Sequence, residues 1–348
     1  MDHEPGTLPP LVGESPTFLG MLDAVSRTAP LDRPVLVIGE RGTGKELVAA
    51  RLHFLSRRWD RPLVKLNCAA LAEGLLESEL FGHEAGAFTG AVRRHPGRFE
   101  LAQGGSLFLD EIAQCSSAVQ EKLLRAVEYG EFERVGGTQT LACNVRVIGA
   151  TNADLPGLAA TGRFRADLLD RLAFEVITLP PLRFRPEDIP VLAQHFAVGM
   201  SRQLGRSVFP GFTPGALTRL QNHPWPGNIR ELKNAVERSV HRCTDPAARV
   251  AEIILDPFAS PFRAIAAPPA PSAPQAPPAP AQPDPSGDFD SQVRAFERGL
   301  LQAALIGHRF NQKQAAAGLG LGYHQFRRLL VKHGLATAGD DPPSPTSQ

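Results

Sequence analysis

Gly39-Glu40-Arg41-Gly42-Thr43-Gly44-Lys45 follows an apolar run and opens a helical pattern, which is the context a phosphate-binding loop requires. The glycines let backbone N–H groups curl around phosphate, and the helix N-terminus adds partial positive charge. Lys45 would reach the β and γ phosphates. The next residue in such loops is usually Ser or Thr, whose hydroxyl binds Mg²⁺, but here it is Glu46, and that departure weakens the motif taken alone. Further along, LFLDE ends an apolar run in Asp110 and Glu111. At the carboxyl edge of a parallel sheet two such acids would face the phosphates. Asp110 would hold Mg²⁺, directly or through water, and Glu111 would polarise an attacking water. A plainer reading makes them a cap for the next helix. Asn67 closes PLVKLN and could hydrogen-bond Glu111. Thr151 and Asn152 close VIGATN and could sense the γ-phosphate. Each of the three is equally a turn residue at a strand end. Arg165 and Arg171 in GRFRADLLDRL, and Arg230 after WPGN, are candidates to stabilise a transferring phosphoryl group. Surface pairing with Asp167, Asp170 or Glu231 is the alternative.

The elements that must position these groups are legible as alternation. PVLVIG (34–39), PLVKLN (62–67), GSLFLDE (105–111) and NVRVIGATN (144–152) read as buried strands. Between them lie helical patterns over 45–58 and 117–130. Strands alternating with helices predict an α/β fold with a parallel sheet. A helical region follows from about 185 to 242, and VAEIILDPF after it reads as a last strand or a packing segment.

Charge and proline divide the chain. It has 348 residues, with 37 Lys and Arg against 36 Asp and Glu, for a net charge of +1. Between Pro261 and Asp288, 10 of 28 residues are Pro and 8 are Ala. Such a segment predicts a semi-extended spacer spanning up to about 85 Å. Residues 289–336 carry seven Lys or Arg and two acids, so this block is +5 and the remainder −4. Neutrality is the sum of a basic module and a mildly acidic one. The basic block reads as three helices, the second capped by Asn311 and joined by a glycine turn to YHQFRRLLVKHG, a helix-turn-helix pattern. Tyr323, His324, Gln325, Arg327, Arg328 and Lys332 are its candidates for the major groove and phosphates. No stretch is apolar enough for a membrane span, and no signal pattern begins the chain, which predicts a cytoplasmic protein. Cys68, Cys115, Cys143 and Cys243 have neither metal nor redox spacing and read as reduced core thiols.

Together GERGTGKE (39–46), LNCAAL (66–71), ESELFGHEAGAFTGA (77–91), GGSLFLDEI (104–112), RVIGATN (146–152), FRADLLDRL (164–172) and WPGNIRELKN (225–234) resemble the AAA+ transcription activators of sigma-54 RNA polymerase, the bacterial enhancer-binding proteins. The resemblance covers about 10–245. In that family Glu follows the P-loop Lys, so Glu46 is ordinary there. The resemblance implies ATP and Mg²⁺ as cofactors and an AAA+ ATPase over 10–180 with a helical lid over 181–258. It also implies a linker over 259–288, a Fis-type helix-turn-helix over 289–336 and a disordered tail over 337–348. It gives Asn67 the role of a switch on the catalytic glutamate, Arg165 and Arg171 that of fingers reaching a neighbour's nucleotide in a hexamer, and Arg230 that of a second sensor. Gly86, Ala87, Phe88, Thr89, Gly90 and Ala91 would form the loop that touches sigma-54. As an isolated feature this is a glycine loop whose Phe either stays exposed for a partner or tucks into its own core. Residues 131–138 would lie beside it at the ring pore. The short segment before Leu11 resembles the phage-shock branch of the family. That implies control by a phage-shock-type adaptor, for which Trp59 in a charged turn is a candidate contact. An AAA+ motor with another task, and a repressor with a merely structural ATPase, are the alternatives.

Overall fold

The computed structural model describes residues 11–259, 288–308 and 310–335. Most of the expected linker, the tail over 337–348, and Arg309 lie outside the described residues. The chain divides after Ala259 into two units.

The first unit opens with α1 (Pro16–Thr28), which lies ahead of the strand and helix patterns that the sequence shows most clearly. The Ser15 hydroxyl accepts from the Phe18 N–H, and Pro16 occupies the first turn, as helix starts favour. Phe18, Met21 and Val25 form its buried stripe. Then follow β1 (Val35–Ile38), α2 (Lys45–Phe54), β2 (Leu63–Asn67), a 3-10 turn (Cys68–Ala70), α3 (Glu73–Phe81), β3 (Gly82–His83), β4 (His95–Pro96), α4 (Arg98–Leu101) and β5 (Ser106–Asp110). A second 3-10 turn (Ile112–Gln114) leads to α5 (Ser117–Glu128), β6 (Glu131–Glu133), β7 (Thr140–Ala142), β8 (Arg146–Thr151), α6 (Leu155–Ala160), α7 (Ala166–Leu172) and β9 (Val176–Thr178).

Five of these strands form one sheet in the order β2-β5-β8-β1-β9, all parallel. The expected α/β architecture is present. Three expected strands, β1, β5 and β8, are buried almost throughout. The fourth is not: β2 is an edge strand of half-buried and exposed residues, because only one of its sides is covered by a neighbour. Register aligns the strand ends, with Asn67 opposite Asp110 and Ile38 opposite Thr151. The phosphate loop and the acids therefore leave the same edge of the sheet. Apolar cores cover both faces. One is built on Leu80, Phe81, Phe99, Leu107 and Leu123, the other on Val25, Val37, Leu52, Phe108 and Ile148.

A helical lid follows in α8 (Asp188–Gln203), α9 (Pro214–Asn222) and α10 (Asn228–Arg242). It packs around Leu192, Leu220, Trp225, Leu232 and Val236. The segment with Val250 and Ile253 completes this core and makes a single β-bridge, Phe212 to Val250, so it is a packing segment. Asp188 ties the lid to the start of the chain. Its carboxylate accepts from the Glu14 and Ser15 N–H groups at 2.6 and 2.7 Å and from the Ser15 hydroxyl at 2.8 Å.

The second unit holds α11 (Phe289–Gly307), α12 (Gln312–Gly318) and α13 (Tyr323–Lys332). Leu301, Leu305, Ala315, Ala316, Phe326 and Leu330 form its core. Asn311 caps α12 by accepting from the Gln314 N–H at 3.2 Å. The turn into α13 passes through Gly320 at φ +67°, a left-handed conformation that glycine adopts at no steric cost. Among the described residues no helix is long and apolar enough to cross a membrane. All four cysteines are free thiols, but only Cys68 and Cys115 are fully buried. Cys143 and Cys243 are half-buried rather than the core thiols expected. A hydrogen bond with Cys115, reinforced by burial, raises the Cys68 thiol far above its ordinary value, which keeps it protonated and inert.

Candidate functional site

The loop between β1 and α2 turns back through Gly42 and Gly44, at φ +78° and +98°. Lys45 sits at the first turn of α2, only 8% exposed, and its Nζ donates to the Gly39 and Glu40 carbonyls at 3.0 and 3.4 Å. A cleft of about 740 Å³ opens over this loop. Arg41, Gly42, Thr43, Gly44, Lys45 and Glu46 line it from the loop, Asn67, Asp110 and Glu111 from the strand ends, and Arg230, Lys233 and Glu237 from the lid. Beside it lies a smaller, mostly apolar recess formed by Leu11, Val12, Leu179, Leu192, Phe196 and Ile229. Positive charge and backbone donors thus face the strand-end carboxylates Asp110 and Glu111, with an apolar wall adjacent, an arrangement suited to a nucleoside triphosphate.

Most of the expected site residues meet here, but Gly39 and Glu40 of the loop do not line the cleft, and two further corrections apply. Asn67 does not bond Glu111. Its Nδ2 donates to Asp110 Oδ2 at 3.3 Å, and its Oδ1 accepts from the Ala69 N–H at 2.9 Å. The register places Asn67 directly across from Asp110, while Glu111 has already left the strand with φ +54°. The second correction concerns Thr151 and Asn152, which do not line the cleft. Thr151 is fully buried, with its hydroxyl accepting from the Ala153 N–H at 3.0 Å and its carbonyl from the Gly39 N–H at 3.2 Å. It acts as a turn residue that pins the base of the phosphate loop to β8, and Asn152 is exposed beside it. Glu46 pairs with Lys65 of β2 at 2.9 Å. Among the described residues no three His, Cys, Asp or Glu side chains cluster as a metal cage. Asp110 suits Mg²⁺, which is commonly held by one or two carboxylates together with substrate phosphates.

The arginines separate. Arg230 lines the cleft, and the expected rival Glu231 turns instead to the Gly227 N–H at 2.7 Å. Arg165 and Arg171 stand outside the cleft. Arg165 forms a fork with Asp167 at 3.0 and 2.7 Å, and Arg171 pairs with Glu128 at 2.5 Å. Both arginines are substantially exposed.

Sequence reasoning does not reach the partners of Glu40. Its carboxylate accepts from Arg183 at 2.6 and 2.8 Å and from Asn228 Nδ2 at 3.0 Å. The Arg183 hydrogen bonds, with that from Asn228, hold its carboxyl down to about 2. Asn228 at φ +53° is legible as a turn residue after Pro226 and Gly227, but its partners lie in another part of the chain.

Loop 86–91 projects from the β3–β4 hairpin. Gly86 and Gly90 take φ +84° and +105°. Phe88 is 46% exposed, with one edge against His83 at 4.9 Å. Thr89 is exposed, Ala91 is buried, and the Gly86 N–H donates to the Ala91 carbonyl at 2.7 Å. The expected neighbour, residues 131–138, lies against it. The Glu84 N–H donates to the Val135 carbonyl at 3.1 Å, and Gly136 touches Ala87 so closely that a Cβ there would meet it at 2.7 Å. Arg134, 4% exposed, fastens the pair through Glu84 at 2.8 Å and Glu100 at 2.5 Å. Each loop is one helix away from the cleft: α3 runs from the Asn67 turn to the first, and α5 from the Glu111 turn to the second.

Trp59 is 63% exposed on a turn held down by Arg58, which reaches Asp32, the Gly105 carbonyl and the Asn144 carbonyl. In the second unit, His324, Gln325 and Arg328 are placed along α13, and all three are exposed. Lys332 is tied to Glu297 of α11 at 3.3 Å, an intramolecular pairing that its expected phosphate role does not foresee.

Comparison with known proteins gives these features a family. Residues 11–178 match the sigma-54 interaction domain, 183–258 the AAA+ ATPase lid domain, and 292–332 the bacterial regulatory proteins of the Fis family. The Psp operon transcriptional activator of Escherichia coli (strain K12) is 58% identical over 93% of this chain and 97% of its own length. The Nif-specific regulatory protein of Azotobacter vinelandii is 54% identical over 66% of this chain and 44% of its own length. The crystal structure of NtrX from Brucella abortus in complex with ATP aligns with a TM-score of 0.65 and 33% identity, covering 93% of this chain and 70% of that one. The chain therefore belongs to the sigma-54-dependent transcription activators, with an AAA+ core, its lid and a Fis-type DNA-binding domain.

Proposed function

We propose that the protein hydrolyses ATP and uses the energy to remodel the sigma-54 RNA polymerase closed complex into the open complex from enhancer DNA. The observation that carries this reading is the pair of helices that join one catalytic edge to one exposed loop cluster. Lys45, Asp110 and Glu111 share the cleft, and α3 and α5 lead from it to residues 86–91 and 131–138. Phe88 and Thr89 at the exposed tip suit contact with sigma-54.

Within the cleft, Lys45 and the Gly42–Lys45 backbone would hold the phosphates, and the apolar recess would take the base. Asp110 would hold Mg²⁺ with the phosphates, which supplies charge neutralisation on the triphosphate. Glu111 would take up a proton from the attacking water, and Arg230 would read the γ-phosphate. Asn67, bonded to Asp110 rather than Glu111, would pass the phosphate state into α3 through the metal-binding carboxylate. Thr151 would act through the Gly39 backbone. Arg165 and Arg171 lie outside their own cleft, which supports their reaching a neighbour's nucleotide in a homo-oligomeric ring, a hexamer by family resemblance. Their present partners Asp167 and Glu128 would be exchanged for phosphate on assembly.

The basic unit would place α13 in the major groove of enhancer DNA. The exposed stripe Phe289, Val293, Phe296 and Leu300 on α11 supports pairing of copies there. The likeness to the Psp operon activator supports action in the cytoplasm on phage-shock-type stress genes. It also supports restraint by an adaptor protein, with exposed Trp59 as the contact. The test is promoter opening by sigma-54 holoenzyme with ATP. Wild type should open it, while Thr89→Ala should hydrolyse ATP but leave the promoter closed. Normal opening by Thr89→Ala would overturn the proposal.

A further inference from the structure

The Glu40 carboxylate lies at a junction of three elements. Its two oxygens receive both terminal nitrogens of Arg183 at 2.6 and 2.8 Å, a bidentate geometry that fixes orientation as well as distance. Arg183 belongs to the short turn Leu182–Phe184 that leads from the sheet into the lid. The same carboxylate receives Asn228 Nδ2 at 3.0 Å. Asn228 is fully buried, and it also donates to the Arg41 carbonyl at 3.1 Å and accepts from the Leu182 N–H at 2.9 Å. Its amide is thus satisfied from the phosphate loop on one side and the lid entrance on the other. Asn228 is the first residue of α10, the helix that carries Arg230, Lys233 and Glu237 into the cleft. At the next contact, the Arg230 N–H donates to the Gly42 carbonyl at 3.3 Å, and a Cβ on Gly42 would strike the Gly227 carbonyl at 2.3 Å. No side chain fits between the loop and the helix start.

We propose that Glu40 is a positioning residue that, through Arg183 and Asn228, sets the start of α10 against the phosphate loop and so places Arg230 over the γ-phosphate. This deepens the reading of Arg230 given above and rests on it. The Glu40 carboxylate is engaged in the junction and is absent from the cleft lining, so its side chain acts on nucleotide only through the lid. A group that merely shaped the phosphate loop would affect ATP and ADP alike, because both present a β-phosphate to Lys45. A group that places Arg230 should matter more for ATP than for ADP, which shares only the recess lined by Ile229 of the same helix start.

The experiment measures binding of a slowly hydrolysed ATP analogue and of ADP, with Mg²⁺, to the full chain and to Glu40→Gln, Arg183→Met, their double variant and Arg230→Ala. The Glu40→Gln substitution keeps an acceptor oxygen for Asn228 while losing the ion pair. The expected result is a loss of about threefold to fivefold for the ATP analogue in Glu40→Gln and Arg183→Met, whose pair is partly exposed, and of about tenfold in Arg230→Ala, with a clearly smaller change for ADP in each. The double variant should lose no more than the singles, since both act through one contact. Retained ADP binding reports a folded phosphate loop. Equal losses for both nucleotides, or no loss in Glu40→Gln while Arg230→Ala separates them, would overturn the proposal. If Arg230→Ala itself fails to separate the nucleotides, the γ-phosphate reading of Arg230 falls and this proposal falls with it.

Discussion

Replacing Arg134 with Ala should loosen the two loops from each other before it disturbs the cleft. The guanidinium is 4% exposed and makes three bonds, to Glu84 at 2.8 Å and to Glu100 at 3.0 and 2.5 Å. Breaking a fully buried pair from one side costs ~3–5 kcal/mol, and an exposed pair is worth about 0–1 kcal/mol. Glu100 and Glu84 keep 22% and 36% of their side chains in solvent. Glu100 also retains the Gly97 N–H at 3.2 Å and Arg94 at 3.3 Å. The loss should fall between the limits, at about 2 kcal/mol, or a melting-temperature drop of about 4–8 °C for a unit of this size. Its pH dependence has a defined sign. Burial pushes the Glu100 carboxyl up, but the Arg134 and Gly97 hydrogen bonds outweigh it, so its pKa is lowered. The wild-type advantage over Arg134→Ala should therefore be full above the unfolded carboxylate value of about 4.3 and should fade as pH falls through the lowered folded value. Thermal unfolding by circular dichroism between pH 7 and pH 3 reads both. At 25 °C the variant should still hydrolyse ATP but open promoters poorly, because residues 131–138 no longer brace loop 86–91. A drop under about 1 °C, or an advantage that grows on acidification, would refute the reasoning.

Glu111→Gln should bind ATP normally, with turnover reduced at least about a hundredfold, as read by nucleotide binding beside steady-state hydrolysis. Arg171→Ala should lower turnover by roughly a thousandfold while leaving the unassembled chain's affinity for nucleotide intact, since Arg171 stands outside its own cleft. In the DNA-binding unit, Arg328→Ala should weaken enhancer binding and reduce the salt slope by about 1. Lys332→Ala should do less, because Lys332 is already paired with Glu297; titrations at several salt concentrations compare the two.

The edge of the sheet that carries the candidate nucleotide site is legible in the sequence because its signals are local. Glycines before Lys45 and acids at the end of an apolar run report their own geometry, and β1, β5 and β8 follow from continuous apolar composition. What stays hidden depends on distant partners. The β3–β4 and β6–β7 hairpins have strands of two or three residues, too short for period-2 alternation to register. The fork between Arg183 and Glu40 spans 143 residues, and no periodicity reports it. Its place at a strand end and the family resemblance point Asn67 at Glu111, whereas register sets it opposite Asp110. Two weaker local signals also exist. Ser15 followed by Pro16 and a spaced apolar stripe marks α1, and the turn Pro226-Gly227-Asn228 before a helix marks a residue free to cap something other than its own chain neighbours.

The central claim is that ATP hydrolysis in the cleft is converted into promoter opening through sigma-54. The most direct measurement is strand opening at one enhancer-linked promoter by sigma-54 holoenzyme and this protein, with ATP and with a non-hydrolysable analogue in parallel. Opening should appear with ATP and be absent with the analogue. Opening with the analogue, or a closed promoter while ATP is consumed, would contradict the account.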